Sequence, residues 1–515
     1  MKNGFLLLLF FFGFTKICSA QRHDANWVIS TGYASINHNT LINFPPGGQT
    51  PQTTLTNGYI PFNYTNANIS DQNGNLLFIT NGISIFNRLY QPIPGGIVQS
   101  SYTASMATQG LNRLHQFIFL PWPNDTNKYV LFYCVTELPI ATSGPCANGW
   151  GWLSTHLYYT VLDKTLNGGL GGIVSASNIA LTDTLVHGTG LAAVKHANGR
   201  DWWLVVKEDC NSSYKRVLFS PNGVQFVGSQ YVGSQILGLQ MGPYFEAWSN
   251  FSPDGMTYYQ IRNCYNLVLL KFDRCSGLFS DPLLLNSGSV CESWSAFSPN
   301  SRFLYRAASG QGSNTVQYDL SLYYQPNGVK NSRKLISPQL DTNSCATIQN
   351  YGSASAACAP ELAANGKIYL GHCYLCNLSV INFPDSLDTL CNMEYNTFVL
   401  PSPNSGFPPY FPNYRLGPLA GSPCDTLSVG VEEWQSSQVS IFPNPTQNSI
   451  NVSLGRTCEE IQCKFYNMQG QLLFQEKRNF GNTFTLEIPD LSNGLYLLEI
   501  ICNEGRVIKK VVIGN

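Results

Sequence analysis

The chain has 515 residues and a formal net charge of −1, with 11% charged and 13% aromatic residues. So aromatic and charge-poor a composition excludes an intrinsically disordered chain. Near-zero net charge without a Lys/Arg run argues against an electrostatic binder of nucleic acid or of a membrane surface, and the length suggests more than one domain, although a large all-β domain can run long.

The first twenty residues read as a targeting segment. Lys2 supplies a positive charge, residues 5–14 are almost wholly Leu and Phe, and Cys18-Ser19-Ala20 precedes Gln21. This is the order of a secretory signal peptide, with cleavage expected after Ala20. Ile17, not a small residue, precedes Cys18, which argues against a lipoprotein site. The apolar run is too short to span a bilayer well, and no later stretch approaches about 18 apolar residues, so no transmembrane segment is expected in the mature chain.

Sixteen cysteines agree with export. In an oxidising compartment most of them pair, and the odd number left after loss of Cys18 leaves one thiol free or one pair outside the chain. Cys134 and Cys146, Cys264 and Cys275, and Cys458 and Cys463 lie close in sequence. His372-Cys373-Tyr374-Leu375-Cys376 with Cys391 has the ligand number of a zinc site. Export and the many other cysteines favour disulfides there.

From about Trp27 to Asp425 the chain reads as repeated β-sheet. Strand candidates at 75–80, 128–133, 156–162, 202–207, 267–272 and 367–370 are short, rich in β-branched and aromatic residues, and closed by turn residues. No long window shows a 3.6-residue period. Asn73-Gly74, Asn198-Gly199, Asp254-Gly255 and Asn365-Gly366 each precede an aliphatic or aromatic strand, and each marks a tight turn because Gly reaches positive φ at low steric cost. A longer repeat joins Glu246-Ala247-Trp248-Ser249-Asn250-Phe251-Ser252-Pro253 to Glu292-Ser293-Trp294-Ser295-Ala296-Phe297-Ser298-Pro299. Its offset matches the ~40–50-residue period of one four-stranded propeller blade. The expected fold is therefore all-β: a β-propeller of seven blades, within a range of six to eight, over residues 21–425. Radial stacking leaves only short sheet edges in water. A pair of β-sandwiches is the other arrangement this pattern allows.

The same body carries a resemblance. The run 73–88, then Pro92-Ile93-Pro94-Gly95-Gly96, Leu166-Asn167-Gly168-Gly169-Leu170-Gly171, the run 193–202, the Phe-Ser-Pro segments and Phe411-Pro412-Asn413-Tyr414-Arg415-Leu416-Gly417-Pro418 resemble a family of large exported Bacteroidetes proteins with a WD-repeat-like propeller. The resemblance implies fold and export; it carries over no reaction.

Composition shifts after residue 425. A polar stretch at 426–438 reads as a linker, and residues 439–515 form a second domain with a higher share of charge. Seven short strands are expected, at 439–442, 450–454, 461–466, 472–475, 483–488, 494–501 and 507–513, in a small Ig-like β-sandwich. Phe442-Pro443-Asn444-Pro445, Tyr466-Asn467-Met468-Gln469-Gly470, Gly494-Leu495-Tyr496 and Lys509-Lys510 resemble the type A C-terminal sorting domain of the type IX (Por) secretion system. The resemblance implies that the secretion machinery is a partner, that the domain is commonly removed afterwards, and that the cargo ends at the cell surface or in the medium. Cys463 and Cys502 could pair there only if the fold brings them close.

Catalytic signatures are missing from the sequence. There is no Gly-x-Ser-x-Gly elbow, no His-Glu-x-x-His, no Walker loop and no dinucleotide fingerprint, no calcium loop, and hence no cofactor is expected. The Gly168–172 cluster reads as a strand-connecting turn, and His187 and His196 as structural histidines. The best ligand candidates come from the repeat. With a period of two, Glu246 and Trp248 share one strand face, as do Glu292 and Trp294. On inner strands these pairs would face the central channel and suit hydrogen bonding and stacking on a sugar, or cation binding. Packing between blades is the plainer role for the same residues. The leading expectation is a non-catalytic surface or extracellular binding module for a glycan or protein ligand. The rival is an extracellular hydrolase, of glycosidase or lactonase type, with acidic residues at the channel.

Overall fold

A computed structural model describes residues 21–514 except 30–37, 63–64, 100–103, 105–109, 112–114, 140–151, 175–178, 182–189, 208–212, 234–247, 264–265, 288–291, 309–313, 338–356, 373–376, 403–406, 426–438, 468–470 and 503–504. The expected signal peptide, Glu246, the expected linker, Gly470, His187, Cys146, Cys264, Cys373 and Cys376 lie outside the described residues, as does the His372 side chain. The chain divides into two compact units, 1–425 and 426–515.

Unit one is all-β. Among the described residues, seven sheets follow one another in chain order, and the strands pair antiparallel with their sequence neighbours, save Ile179–Ala180 of the third sheet, which pairs with Trp152–Asp163. The sheets open with the strands Asn26–Ile29, Ala67–Ser70, Phe117–Pro121, Leu191–Lys195, Ser249–Phe251, Glu292–Phe297 and Ala357–Leu362. Five have four strands, the first has three and the third has five. The four expected turns join the first and second strands of the second, fourth, fifth and seventh sheets. Their glycines have φ of 91° (Gly74), 74° (Gly199), 73° (Gly255) and 78° (Gly366), the left-handed conformation that selects Gly. In the sixth sheet Ser301, one repeat on from Gly255, takes the same conformation at φ 62°.

Apolar side chains fill the spaces between successive sheets, and the series returns to its start. Val28 and Phe62 pack with Ile79 and Phe86 between sheets one and two. Phe78, Phe119, Phe132 and Leu204 join sheets two, three and four. Val205 and Tyr214 meet Tyr258 and Phe272 between four and five, and Leu269 meets Leu304 and Tyr318 between five and six. Phe303 and Tyr305 meet Leu370 and Ile381 between six and seven. Trp27 and Phe44 of the first sheet then pack on Tyr369 of the seventh, with ring centroids 5.8 and 5.6 Å apart. This is a propeller-like arrangement. It explains why strands such as Leu191–Lys195 and Trp202–Lys207 are buried at every position: a sheet sandwiched between two others has no solvent face. The last strand of the fourth sheet, Gly223–Tyr231, is largely exposed.

After the last sheet, residues 407–425 run back across the first strands. Asn66 donates to the Phe407 carbonyl, Tyr410 to that of Leu191 and Tyr414 to that of Phe119. Asn413 donates to Pro253, and Arg274 to Gly417. Arg415 forms a bidentate pair with Asp24, at 2.6 and 2.5 Å. A disulfide, Cys275–Cys424, anchors the end of the segment, with Cα atoms 5.5 Å apart. Its loop closes over 149 residues, not over a neighbouring pair such as Cys264 and Cys275.

Unit two has five strands among its described residues, not seven. Ser449–Asn467 and Leu472–Glu487 each merge two expected strands. The reason is local: a register shift between Ser453 and Cys458, with Gly455 at φ 66°, redirects the strand without ending it. Strand Ser440–Phe442 pairs with the first half of the long strand, and Gly494–Cys502 with the second half. Val452, Phe465, Leu486, Leu498 and Val511 form a core of its own, to which Cys463 and Cys502 also belong as buried thiols.

Candidate functional site

The first strands bring together groups that are far apart in sequence. His115 precedes the third sheet's first strand, Trp248 the fifth's, and Glu361 lies on the seventh's; Tyr410 comes from the returning segment. The His115 ring stacks on Tyr410 at 3.7 Å and 6°, and lies 4.1 Å from Trp248. His115 Nδ1 stands 3.0 Å from the Ser249 carbonyl oxygen. A carbonyl only accepts, so Nδ1 carries the proton and the neutral ring presents Nε2 as an acceptor. Nε2 is 3.5 Å from Glu361 Oε1, and both atoms are buried without a hydrogen-bond partner. A bulge at Ala359, φ 48°, sets the face that Glu361 presents.

Burial decides the charge state here. It drives the Glu361 carboxyl well above the usual carboxylate range and pulls His115 down to about 3, against the Ser249 contact. The pair is thus a carboxylic acid beside a neutral imidazole, not an ion pair. His23, stacked edge-on to Tyr414 at 5.1 Å, is lowered by burial to about 4. Lys195, 4.0 Å above the Trp202 ring, is lowered by burial to about 7.

A cavity of about 220 Å³ opens beside these groups. Its walls are the turns after the first strands of sheets five, six and seven, together with Phe411, Asn413 and Arg415 of the returning segment and Asp24. Asn250, Phe251 and Pro253, with Ala296, Phe297 and Pro299, line it. The repeat found in the sequence therefore borders the cavity with its Phe-Ser-Pro half.

Of the Glu-Trp half, none of Trp248, Glu292 and Trp294 lines the cavity. Glu292 is fully buried, 2.9 Å from both Arg306 Nη1 and Arg333 Nη2, and accepts from the Tyr318 hydroxyl at 3.1 Å. A register shift between Glu292 and Trp294 breaks the alternation that put them on one face. Trp294 is half-buried against the core between sheets five and six. Trp248 precedes its strand and packs on His115. Glu246 lies outside the described residues. Lone residues such as His115, Asp24 and Glu361 carry no sequence signal; the run 411–418 carries a family resemblance, with nothing in it to show that it crosses the sheets. His196 is structurally satisfied, with Nε2 3.1 Å from the Cys275 carbonyl oxygen and Nδ1 accepting from the Asn198 amide. Among the described residues no three His, Cys, Asp or Glu side chains converge on a metal position, and no helix is long and apolar enough to cross a membrane.

In unit two, the Asn444 side chain bridges to the last strand: Nδ2 donates to the Lys510 carbonyl, and Oδ1 accepts from the Val512 amide, both at 2.8 Å. Tyr496 stacks on Phe465 at 5.6 Å and donates to the Ser492 carbonyl. The motif residues Pro443, Asn444, Pro445, Gly494, Tyr496, Lys509 and Lys510 thus fall on one structural unit.

Comparison with known proteins bears mainly on this unit. A family model described as a secretion system C-terminal sorting domain matches residues 440–514. The ulvan lyase NLR42 of Nonlabens ulvanivorans is 23% identical over 91 residues, 18% of this chain; the chain spans only 17% of the lyase. Solved structures with a similar course of the chain include the periplasmic gluconolactonase PpgL of Pseudomonas aeruginosa, with 10% identity, TM-score 0.40, and coverage of 74% of this chain and 98% of that one. TolB of Acinetobacter baumannii matches at 10% identity and TM-score 0.31, covering 75% of this chain and 66% of that one. Likenesses of that size carry nothing about chemistry. With its Pro-Asn-Pro entry, its Tyr496 hairpin and its Lys509-Lys510 strand inside the matched span, the segment 440–514 is a C-terminal sorting domain of the type IX secretion system, and the protein is exported to the cell surface or the medium.

Proposed function

We propose that the chain is an exported seven-bladed β-propeller with an Ig-like sorting sandwich, and that the propeller binds an extracellular glycan or protein ligand at the cavity beside its returning segment without turning it over. One observation carries this reading: of the two carboxyl groups among the described residues lining the cavity, neither is an ionised carboxylate free to face a ligand bond. Asp24 gives both oxygens to Arg415, and Glu361 is a buried neutral acid. Glycoside hydrolysis by the usual route needs an acid and a second, ionised carboxylate facing one bond.

A second reading has one observation in its favour. A carboxyl kept protonated by burial is what a general acid requires, so Glu361 is the residue on which a hydrolase of glycosidase or lactonase type would depend. The matched relative is named as a lyase of ulvan, a further reason to include that polysaccharide among the probes. The test is to incubate the full chain with immobilised and soluble glycans and surface proteins while following ligand mass. Saturable binding with unchanged mass supports the binding module; a mass-shifted product that disappears in Glu361→Gln replaces it with the hydrolase.

A further inference from the structure

We infer that the cavity takes one uncharged, hydroxyl-bearing ring, a single sugar residue, with Glu361 as its buried hydrogen-bond acceptor. This rests on the binding reading above and narrows it. Glu361 Oε1 stands against His115 Nε2, and Nε2 is an acceptor because Nδ1 faces a carbonyl. The carboxyl proton is therefore best placed on Oε1, the fully buried oxygen, which leaves Oε2 as the carbonyl-type acceptor of a residue that lines the cavity. Such an acceptor takes a ligand hydroxyl.

Charge and size narrow the class. Arg415 is neutralised by Asp24, Glu361 is uncharged, and Asn250 spends Oδ1 on the Phe251 amide, which leaves Nδ2 as a donor. With no free charge among the described residues of its wall, the cavity disfavours both anions and cations, since neither recovers its hydration. Phe411 and the prolines give the apolar surface that the C–H face of a pyranose covers. At about 220 Å³ the space is below the ~300–1,000 Å³ of sites for drug-sized ligands. It fits one ring, the terminal or a free sugar, and not several units of a polymer.

The full chain is titrated by calorimetry with methyl glucoside, galactoside, mannoside and xyloside, and with glucuronate and glucosamine as charged counterparts. At least one neutral glycoside binds, with the charged sugars tenfold or more weaker. Glu361→Gln keeps affinity within about threefold because an amide carbonyl still accepts, whereas Glu361→Leu loses tenfold or more with its circular dichroism and melting unchanged. Should Glu361→Leu unfold the protein, Asn250→Leu replaces it, with at least a threefold loss expected. Charged sugars binding as well as neutral ones, full affinity in Glu361→Leu or Asn250→Leu, or a ligand found only among proteins or polymers each overturn the inference and leave the binding module standing. Turnover of any probe overturns the binding module instead.

Discussion

Glu361 and His115 pull stability in opposite directions along the pH scale. In the unfolded chain the Glu361 carboxyl ionises near its ordinary value of 4.5, whereas in the fold it stays protonated far above that. The folded state therefore holds the extra proton, and stability is lost as pH rises above 4.5, by about 1.4 kcal/mol per pH unit from this group. His115 and His23 are held neutral in the fold to about 3 and 4. Below their ordinary 6.5 the unfolded chain takes up protons that the fold refuses, so stability falls as pH falls. Glutamine keeps the shape of the neutral acid and does not titrate. Glu361→Gln should thus match the parent near pH 4.5 and become progressively more stable than it toward pH 7, by an order of 1–3 kcal/mol in urea titrations at each pH. A variant less stable than the parent at pH 7 would show that Glu361 is ionised and paired to His115.

At the scale of elements, the turns were readable and the crossing segment was not. Asn-Gly and Asp-Gly pairs mark positive φ whatever surrounds them, so the turns at Gly74, Gly199, Gly255 and Gly366 could be placed from sequence, and with them the strands on either side. The 46-residue repeat was readable for the same reason, as one local pattern written twice. The role of its Glu-Trp half was not, because a bulge separates Glu292 from Trp294 and the arginines that hold Glu292 lie 14 and 41 positions further on. Residues 407–425 have no regular secondary structure, hence no period to read, and what they contact is fixed only by tertiary structure. Their hold on the sheets is nonetheless extensive. Cys424→Ser removes the cross-link over 149 residues; the expected loss is about 2–5 kcal/mol, seen as a lower melting temperature and as faster proteolysis at 407–425. Unchanged melting and protease resistance in that variant would mean that Arg415, Tyr410 and Tyr414 hold the segment without the disulfide.

For the molecule as a whole, the export signal and the proposed binding cavity lie in separate parts of the chain. The interlocking cores of unit one draw on residues between Trp27 and Leu416, and the core of unit two on residues 439–513. Each sheet of unit one is covered by the next and the last by the first, so unit one has a core of its own. Deleting residues 439–515 should therefore leave unit one folded, with its melting transition within a few degrees of the full chain's, while abolishing passage across the outer membrane. Cell fractionation should find the truncated chain in the periplasm, and protease added to intact cells should fail to reach it. If the truncated chain instead reaches the surface, the address lies in the propeller; if it is lost to aggregation, the two units depend on each other in a way that their separate cores do not explain.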